Sequence, residues 1–406
     1  MKNRIVLISK DAFGIMNLPQ YGNKFWKTPN IDKLVKNGTL FKKHYTTAPS
    51  TGMAFTSMFT GKYPYELTDR KVYTHVKRYE GTTLFDLFKK NNYSCHIIWD
   101  KVFNSYALPY ANCFGEDCGT IIHSLDVREP VGGHKNGSYD IIASEEKTEK
   151  AMNEIISTIE QIEKQHDKVF LWIHLPHVIS GRTGYGSDVD TVDDLVGWFI
   201  DNWGIDSVFL TGDHGHLNMV KGKIGYGWDV DEQAIRVPLI TPKIGNLNIV
   251  DFNTSHVDLM DIIFHSKIVK RDFIIADAAY YAQPRRNFAI LRGNYKYIFD
   301  KFHNKEFLYD LYYDSNENYN LLIKQKYDPD RQKIIDVSEV VFYPFQDSIE
   351  NVYKEMIEIK NSIWKQADKR TEKKARFKLR LLNIKLAFEK RKKEKKGVKD
   401  KKRYED

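Results

Sequence analysis

"SVFLTGDHG", residues 207–215, is a short run of branched and aromatic residues that stops at a glycine, an aspartate, a histidine and a second glycine. Such an apolar run without alternation reads as a strand buried on both faces. "RIVLIS" at 4–9 and "VFLWIH" at 169–174 have the same texture, and each likewise leads into residues capable of chemistry. Between them lie helical patterns such as "TPNIDKLVKNG" at 28–38, in which Pro29 suits a first helical turn and Gly38 a C-terminal cap. Strands alternating with helices imply an α/β fold with a mostly parallel sheet sandwiched by helices. Ligands of such sheets gather beyond the carboxyl ends of the strands, where Asp11, His174, Asp213 and His214 would meet.

The 406 residues are enough for a large core and a smaller appendage. From about residue 285 the texture becomes aromatic and alternating, in "NFAILRGNYKYIFD" and "EFLYDLYYD", as in a small antiparallel sheet with one solvated face. The expected organisation is a catalytic α/β domain over 1–284, a small C-terminal β subdomain over 285–335, and an amphipathic basic helical tail over 336–406. The net charge of +8 conceals this, because residues 368–406 hold 18 Lys/Arg against 7 Asp/Glu. Val352, Met356, Ile359 and Ile363 recur at helical spacing, and Phe377, Leu381, Ile384 and Phe388 repeat the pattern inside the basic run.

That second stripe, ringed by lysines, suits an anionic membrane surface. Packing on the body or on another subunit of a homo-oligomer is the plainer reading. Without interleaved aromatic residues at the very end, nucleic acid is not an expected partner. There is no apolar run of about 20 residues, and the N-terminal apolar stretch is too short for a secretory signal. The expected location is therefore cytoplasmic, at most peripheral to the inner face of the membrane. Cys95, Cys113 and Cys118 are too few and too unevenly spaced for a disulfide framework or a four-ligand zinc site.

Two carboxylates and an imidazole, Asp11, Asp213 and His214, suit one divalent cation, and an oxygen-rich set with a single imidazole could take Mn, Mg, Ca or Zn. Thr51, in "TTAPSTGMAFTSMFTGKYP" at 46–64, stands at a helix start, where N–H groups and the helix dipole favour an anion. A simple N-cap role is the alternative. A threonine hydroxyl is a poor nucleophile unless a base or a cation activates it.

In order along the chain, "TPNIDKLVKNGTLFKKHYTTAP", "TGKYP", "IHLPH", "VDDLVGWFIDNWGIDSVFLTGDHG", "AIRVPLI", "SHVDLMDIIF", "YKYIF" and "LYDLYYDSNENYNL" resemble the sulfatase-like branch of the alkaline phosphatase superfamily over roughly residues 3–322. The resemblance implies an alkaline-phosphatase-like fold. Sulfatases of that family carry a Cys or Ser in C/S-x-P-S-R that is oxidised to formylglycine; here the position is Thr51, followed by "GMAF", with Phe55 at the Arg position. No formylglycine is expected. "YSCHIIWDKVFN" offers only Lys101 in place of a Gly-Lys-Trp-His motif, and "GYGWDVDEQAIRVP" lacks the sulfatase lysine, with Lys221 and Lys223 upstream.

A threonine at the nucleophile position is similar to phosphoethanolamine transferases, lipoteichoic acid synthases, phosphodiesterases and phosphonoacetate hydrolases, as is a single Asp11 followed by Ala12. By that resemblance Asp11, Thr51, Asp213 and His214 would hold one cation, Thr51 being both ligand and nucleophile. His174 would contact phosphoryl oxygens or the leaving group. His177 and His216 would touch substrate, and His256 would touch substrate or serve a second metal, although no Asp-x-x-x-His motif follows "IHLPH".

The implied activity is a metal-dependent phosphotransferase or phosphodiesterase working through a phospho-enzyme. It would act on a phosphoester or a glycan, such as a surface polysaccharide or its lipid-linked precursor. The alternatives are a sulfatase acting on sulfate esters and an inactive sulfatase-like binding module. Arg236 reads as a structural salt-bridge former, and Asp193-Asp194 as a solvated helix turn.

Overall fold

The structure is a computed structural model that describes residues 3–67, 79–105, 111–114, 119–126, 129–133, 139–142, 145–177, 189–278, 287–300, 303–323, 325–328, 333–336 and 349–363. The basic stripe Phe377, Leu381, Ile384 and Phe388 lies outside these residues, as does Cys118.

Eight strands form the main sheet: β1 (Arg4–Lys10), β2 (Thr39–Phe41), β3 (Ser94–Asp100), β4 (Ile121–Leu125), β5 (Val169–Leu175), β6 (Val208–Gly212), β7 (Leu239–Thr241) and β8 (Ile249–Val250). Their spatial order is β8-β2-β7-β6-β1-β5-β3-β4. β6, β1, β5, β3 and β4 run parallel, while β7 is antiparallel to both of its neighbours. The three apolar runs read from sequence thus become the three adjacent central strands.

Alternate residues of these strands face opposite layers, as the period of two requires. Val6, Ile8, Leu171, Ile173 and Leu210 pack against α1 (Pro29–Asn37), α4 (Glu145–Gln165) and α5 (Val189–Trp203). Ile5, Leu7, Phe170, Trp172 and Phe209 pack against α2 (Thr51–Thr60), α3 (Leu84–Lys90) and α6 (Leu259–His265). Pro29 opens α1 and Gly38 is its C-cap.

Asp193 departs from its reading as part of a solvated turn. It is buried, and its carboxylate accepts hydrogen bonds from the N–H groups of Asn30 and Ile31 at 3.1 and 2.8 Å, tying α5 to the start of α1. The local pattern concealed this because the partners lie more than 160 residues away in the chain. Asp193→Ala is expected to lower stability by roughly 2–3 kcal/mol, the loss of a cap plus buried unpaired N–H groups, read as a lower urea midpoint. An unchanged midpoint would show that this tie contributes nothing.

A second, antiparallel sheet contains β9 (Ile274–Asp277), β10 (Asn287–Arg292), β11 (Tyr295–Asp300) and β12 (Lys305–Asp310). It begins upstream of residue 285, because Ile274–Asp277 pairs in register with the first strand of the expected hairpin. Nor does it keep one solvated face. Ala276, Ala289, Leu291 and Ile298 pack on Tyr45, Leu217, Val230 and Ile235 of the main body. Phe288, Ile290, Tyr297 and Leu308 are covered by Met356 and Ile363 of the helix over 349–363. Both alternating sets are apolar or aromatic, so both faces are buried.

Several histidines are buried in this frame. Burial and the neighbouring His123 and His166 hold His96 down at about 4. Because its folded value lies below that of the unfolded chain, its contribution to stability is present above about pH 6.5 and is lost as pH falls towards 4. Integrated over that window the loss is at most roughly 3 kcal/mol, and less to the extent that solvent screens the ring. His96→Gln is expected to flatten that part of a melting-temperature profile; an unchanged profile would assign the acid sensitivity elsewhere.

Candidate active site

Asp11 directly follows β1, His174 is the penultimate residue of β5, and Asp213 and His214 directly follow β6. β1 lies between β5 and β6, so these residues are delivered to one edge by three neighbouring strands. Thr51 is the first residue of α2, whose preceding Ser50 makes no side-chain cap hydrogen bond. The positive end of the helix dipole therefore faces the cluster.

Two glycines in "GDHG" are required by close approach. A Cβ on Gly212 would stand 2.0 Å from the Phe13 carbonyl oxygen, and one on Gly215 would stand 1.9 Å from that of Gln233. Asp213 Oδ1 accepts hydrogen bonds from the N–H groups of His214 at 2.7 Å and Ala12 at 3.0 Å. Ala12 adopts a φ of 56°, a left-handed conformation uncommon for a residue with a Cβ, in the peptide immediately after Asp11.

The chemistry converges on His214 Nε2. His214 Nδ1 lies 2.9 Å from the Gly215 carbonyl oxygen, which can only accept, so Nδ1 carries a proton and in the neutral ring Nε2 presents its lone pair. That lone pair sits 3.2 Å from Thr51 Oγ1, 3.4 Å from Asp213 Oδ2 and 3.6 Å from Asp11 Oδ1. Ligand atoms of Asp11, Asp213 and His214 all lie within 4.8 Å of one another, and all three residues are buried.

Two buried carboxylates facing an imidazole lone pair repel one another unless a cation or a proton stands between them. Asp213 shows the consequence: burial first, then the Asp11 charge, push its carboxyl up to about 7. Its Oδ2 is a buried oxygen without a hydrogen bond of normal geometry. This donor set fits a divalent cation. Asp11, Asp213, His214 and the Thr51 hydroxyl would hold it, and the cation would supply charge neutralisation and acidify the hydroxyl.

His174 is held from behind. Trp172 Nε1 donates to Ser9 Oγ at 2.8 Å, and Ser9 Oγ lies 2.8 Å from His174 Nδ1. Ser9 Oγ also reaches the Ile173 carbonyl at 3.4 Å, and His174 Nε2 lies 3.9 Å from Asp213 Oδ2. Phe55 and Phe103 stand edge-on to the ring, each with its centroid 4.6 Å away. Phe55 is fully buried and also packs on Phe114 and Trp172, so the position that would carry arginine is part of an aromatic core. Phe55→Arg is expected to destabilise the fold by roughly 3 kcal/mol or more through an unpaired buried cation, without creating sulfatase activity. A stable variant with gained sulfate-ester hydrolysis would refute this reading.

His177 and His216 are brought together at the rim, ring centroids 5.2 Å apart. Tyr226 joins them, 4.6 Å from the His214 ring, 5.7 Å from His216 and 6.1 Å from His177. Sequence reading missed Tyr226; the available signal was its place between Gly225 and Gly227, both at positive φ. It also missed Lys10, whose buried ammonium donates to the carbonyls of His177 at 2.9 Å and Asp11 at 3.2 Å.

The remaining candidates sit apart from the convergence. Lys101 pairs with Asp126 at the surface at 2.7 Å. Lys221 and Lys223 are neutralised by Asp231 and Asp229. His256 is fully buried, lies against Gly212 O through Nε2 at 3.1 Å, and faces the His44 ring, 5.2 Å away, so it does not join the three-ligand group. Arg236 donates to the Lys42 carbonyl and approaches Glu232 at 3.7 Å, a structural role.

Residues 3–178 match the family model described as Sulfatase. Over 59 residues the chain is 37% identical to steryl-sulfatase of Mus musculus, and over 60 residues 37% identical to that of Homo sapiens. These segments cover 14–15% of this chain and 10% of those proteins, so the chain matches about a tenth of the length of the curated relatives. Among solved structures, a protein in complex with its substrate D-glucosamine-2-N,6-O-disulfate superposes with a TM-score of 0.62 at 13% identity, over 91% of this chain and 99% of that one. A phosphonate monoester hydrolase of Agrobacterium radiobacter superposes with a TM-score of 0.61 at 15% identity, over 90% and 96%. The chain therefore has the sulfatase-type, alkaline-phosphatase-like α/β fold. Among the described residues no helix is long and apolar enough to cross a membrane.

Proposed function

We propose that this protein is a metal-dependent phosphotransferase or phosphodiesterase in which Thr51 is the nucleophile. The observation that carries this reading is the Thr51 hydroxyl at the start of α2, 3.2 Å from the lone-pair nitrogen of His214 and beside two buried carboxylates. The substrate is a phosphoester, and a glycan bearing a phosphoryl alcohol is the class we favour. The sulfatase-type fold, shared with a phosphonate monoester hydrolase, supports chemistry on a tetrahedral oxyanion.

A bound cation would offset the charge that makes a phosphodiester resist attack and would favour the alkoxide of Thr51. The chain's own groups do the rest. The α2 N-terminus presents its dipole to the phosphoryl oxygens. Thr51 Oγ1 forms the bond to phosphorus as the ester oxygen departs, leaving a phosphorylated threonine. His174, its ring oriented through Nδ1 by Ser9, donates from Nε2 to a phosphoryl oxygen or to the leaving group. Water or an acceptor alcohol then displaces Thr51. The rim of Tyr226, His177 and His216 offers flat, partly polar surfaces to the rest of the substrate.

Sulfate-ester hydrolysis by the unmodified threonine is the second reading, favoured by the family match over 3–178 and by the steryl-sulfatase segments. Hydrolysis of a bis(aryl) phosphate and of an aryl sulfate, assayed in parallel with added Mn²⁺, Mg²⁺, Ca²⁺ and Zn²⁺, separates the two. Metal-stimulated phosphodiester cleavage supports our reading. Preference for the sulfate ester replaces it with the second, and no turnover of either under any metal favours a binding module.

A further inference from the structure

Three histidines gather outside the active site, between the outer strands and the end of α4. His96 and His123 are each the third residue of their strands, β3 and β4, on parallel neighbours paired so that Ile98 is opposite His123. Their side chains meet diagonally, with His96 Nδ1 3.1 Å from His123 Nε2 and the rings 5.4 Å apart. His166, just past α4, is tied to that helix by its N–H to the Ile162 carbonyl, and its ring lies 5.3 Å from that of His96. In the strand register His96 is opposite Leu171, three residues before His174, roughly 10 Å along the strand from the active-site edge.

We infer that His96, His123 and His166 form a second, chemically distinct cation site that takes a nitrogen-preferring transition ion such as Zn²⁺ or Ni²⁺. Two nitrogens bound to one tetrahedral zinc at about 2.0–2.1 Å stand roughly 3.3–3.4 Å apart, close to the His96–His123 separation. In the metal-free chain the 3.1 Å His96–His123 contact is a hydrogen bond between one ring's N–H and the other's lone pair, which an ion would replace. Ser94 Oγ, 2.8 Å from His96 Nε2, can accept the N–H of that nitrogen when Nδ1 ligates, the outer-sphere arrangement that orients a metal-bound imidazole.

His166 is partly buried and stands at a helix end; as placed, its nitrogens do not form a ligand-spaced group with those of His96 and His123, so the site closes only by rotation of the His166 side chain. All-imidazole donors select zinc, nickel or copper over magnesium, calcium or manganese. The active-site set, two carboxylates and a hydroxyl with one imidazole, is less selective and also accepts oxygen-preferring ions. The three-histidine site is therefore the one that excludes the hard ions, and bound zinc would clamp β3, β4 and the end of α4 together.

The test uses the full chain carrying Asp11→Asn and Asp213→Asn, which removes the active-site carboxylates. Equilibrium dialysis against Zn²⁺, with Mn²⁺ in parallel, is expected to retain about one equivalent of zinc and little manganese. Adding His123→Ala or His166→Ala is expected to weaken zinc binding at least tenfold, with the far-ultraviolet circular dichroism unchanged. The inference is overturned if the double variant binds no zinc, or if zinc affinity survives His166→Ala; the latter variant sits at a helix end and keeps the test independent of folding.

Discussion

Thr51→Ala is expected to reduce phosphodiester turnover by roughly 10³-fold or more while leaving the melting temperature within a few degrees of the wild type. The hydroxyl contributes the attacking oxygen, 3.2 Å from His214 Nε2. Removing one methyl and one hydroxyl at a helix start, with Ser50 still in the capping position, disturbs little of the core. Thr51→Ser keeps the oxygen and is expected to retain measurable activity, which a residue serving only as a helix cap would not require. Turnover that persists in Thr51→Ala would eliminate the nucleophile assignment outright.

The second large effect falls on Asp213. Asp213→Asn is expected to weaken metal binding by about 100-fold or more, since even loss of an outer-sphere partner commonly costs 10- to 100-fold. The same substitution should raise the stability of the metal-free protein. Asp213 in the fold is pushed up to about 7 from a usual value near 3.8, chiefly by burial and by Asp11. The folded chain therefore binds a proton that the unfolded chain releases between those values, and metal-free stability falls as pH rises through that window.

Above pH 7 the ionised pair weakens the metal-free fold by an amount on the order of 2–4 kcal/mol, which the neutral amide relieves. The expected signature is a crossover. At pH 8 without metal the variant melts above the wild type; with saturating metal the wild type gains more and overtakes it. A variant that melts lower in both conditions would mean that the carboxylate is structural and no cation belongs there.

Much of this was legible in the sequence because the central strands announce themselves. "RIVLIS", "VFLWIH" and "SVFLTGDHG" are apolar on both faces, and parallel packing delivers Asp11, His174, Asp213 and His214 to one edge. What could not be read are contacts made across long loops. Ser9 looks like a strand-end residue until Trp172 and His174 are brought beside it by the register of β1 with β5.

Lys10 carries no local signature of a site, Tyr226 carries only its two flanking glycines, and Asp193 looked exposed because its partners are the amides of a distant helix. Lys101 was a candidate by its position, yet it pairs with Asp126 across a neighbouring strand; Lys221 and Lys223, upstream of the region that lacks the sulfatase lysine, are likewise matched by carboxylates close in sequence. Burial of both faces of the small sheet was likewise hidden, because its second cover comes from a helix some 50 residues downstream.

The most direct measurement is acid quenching of the metal-loaded enzyme during turnover of a bis(aryl) phosphate, followed by mass spectrometry of the peptide containing residues 44–62. A phosphoryl ester on Thr51 that accumulates in the steady state, disappears when substrate is exhausted and is absent in Thr51→Ala is the result expected if this threonine is the nucleophile. Sustained turnover with that peptide unmodified at every quench time, or with the phosphoryl group on another residue, would contradict it.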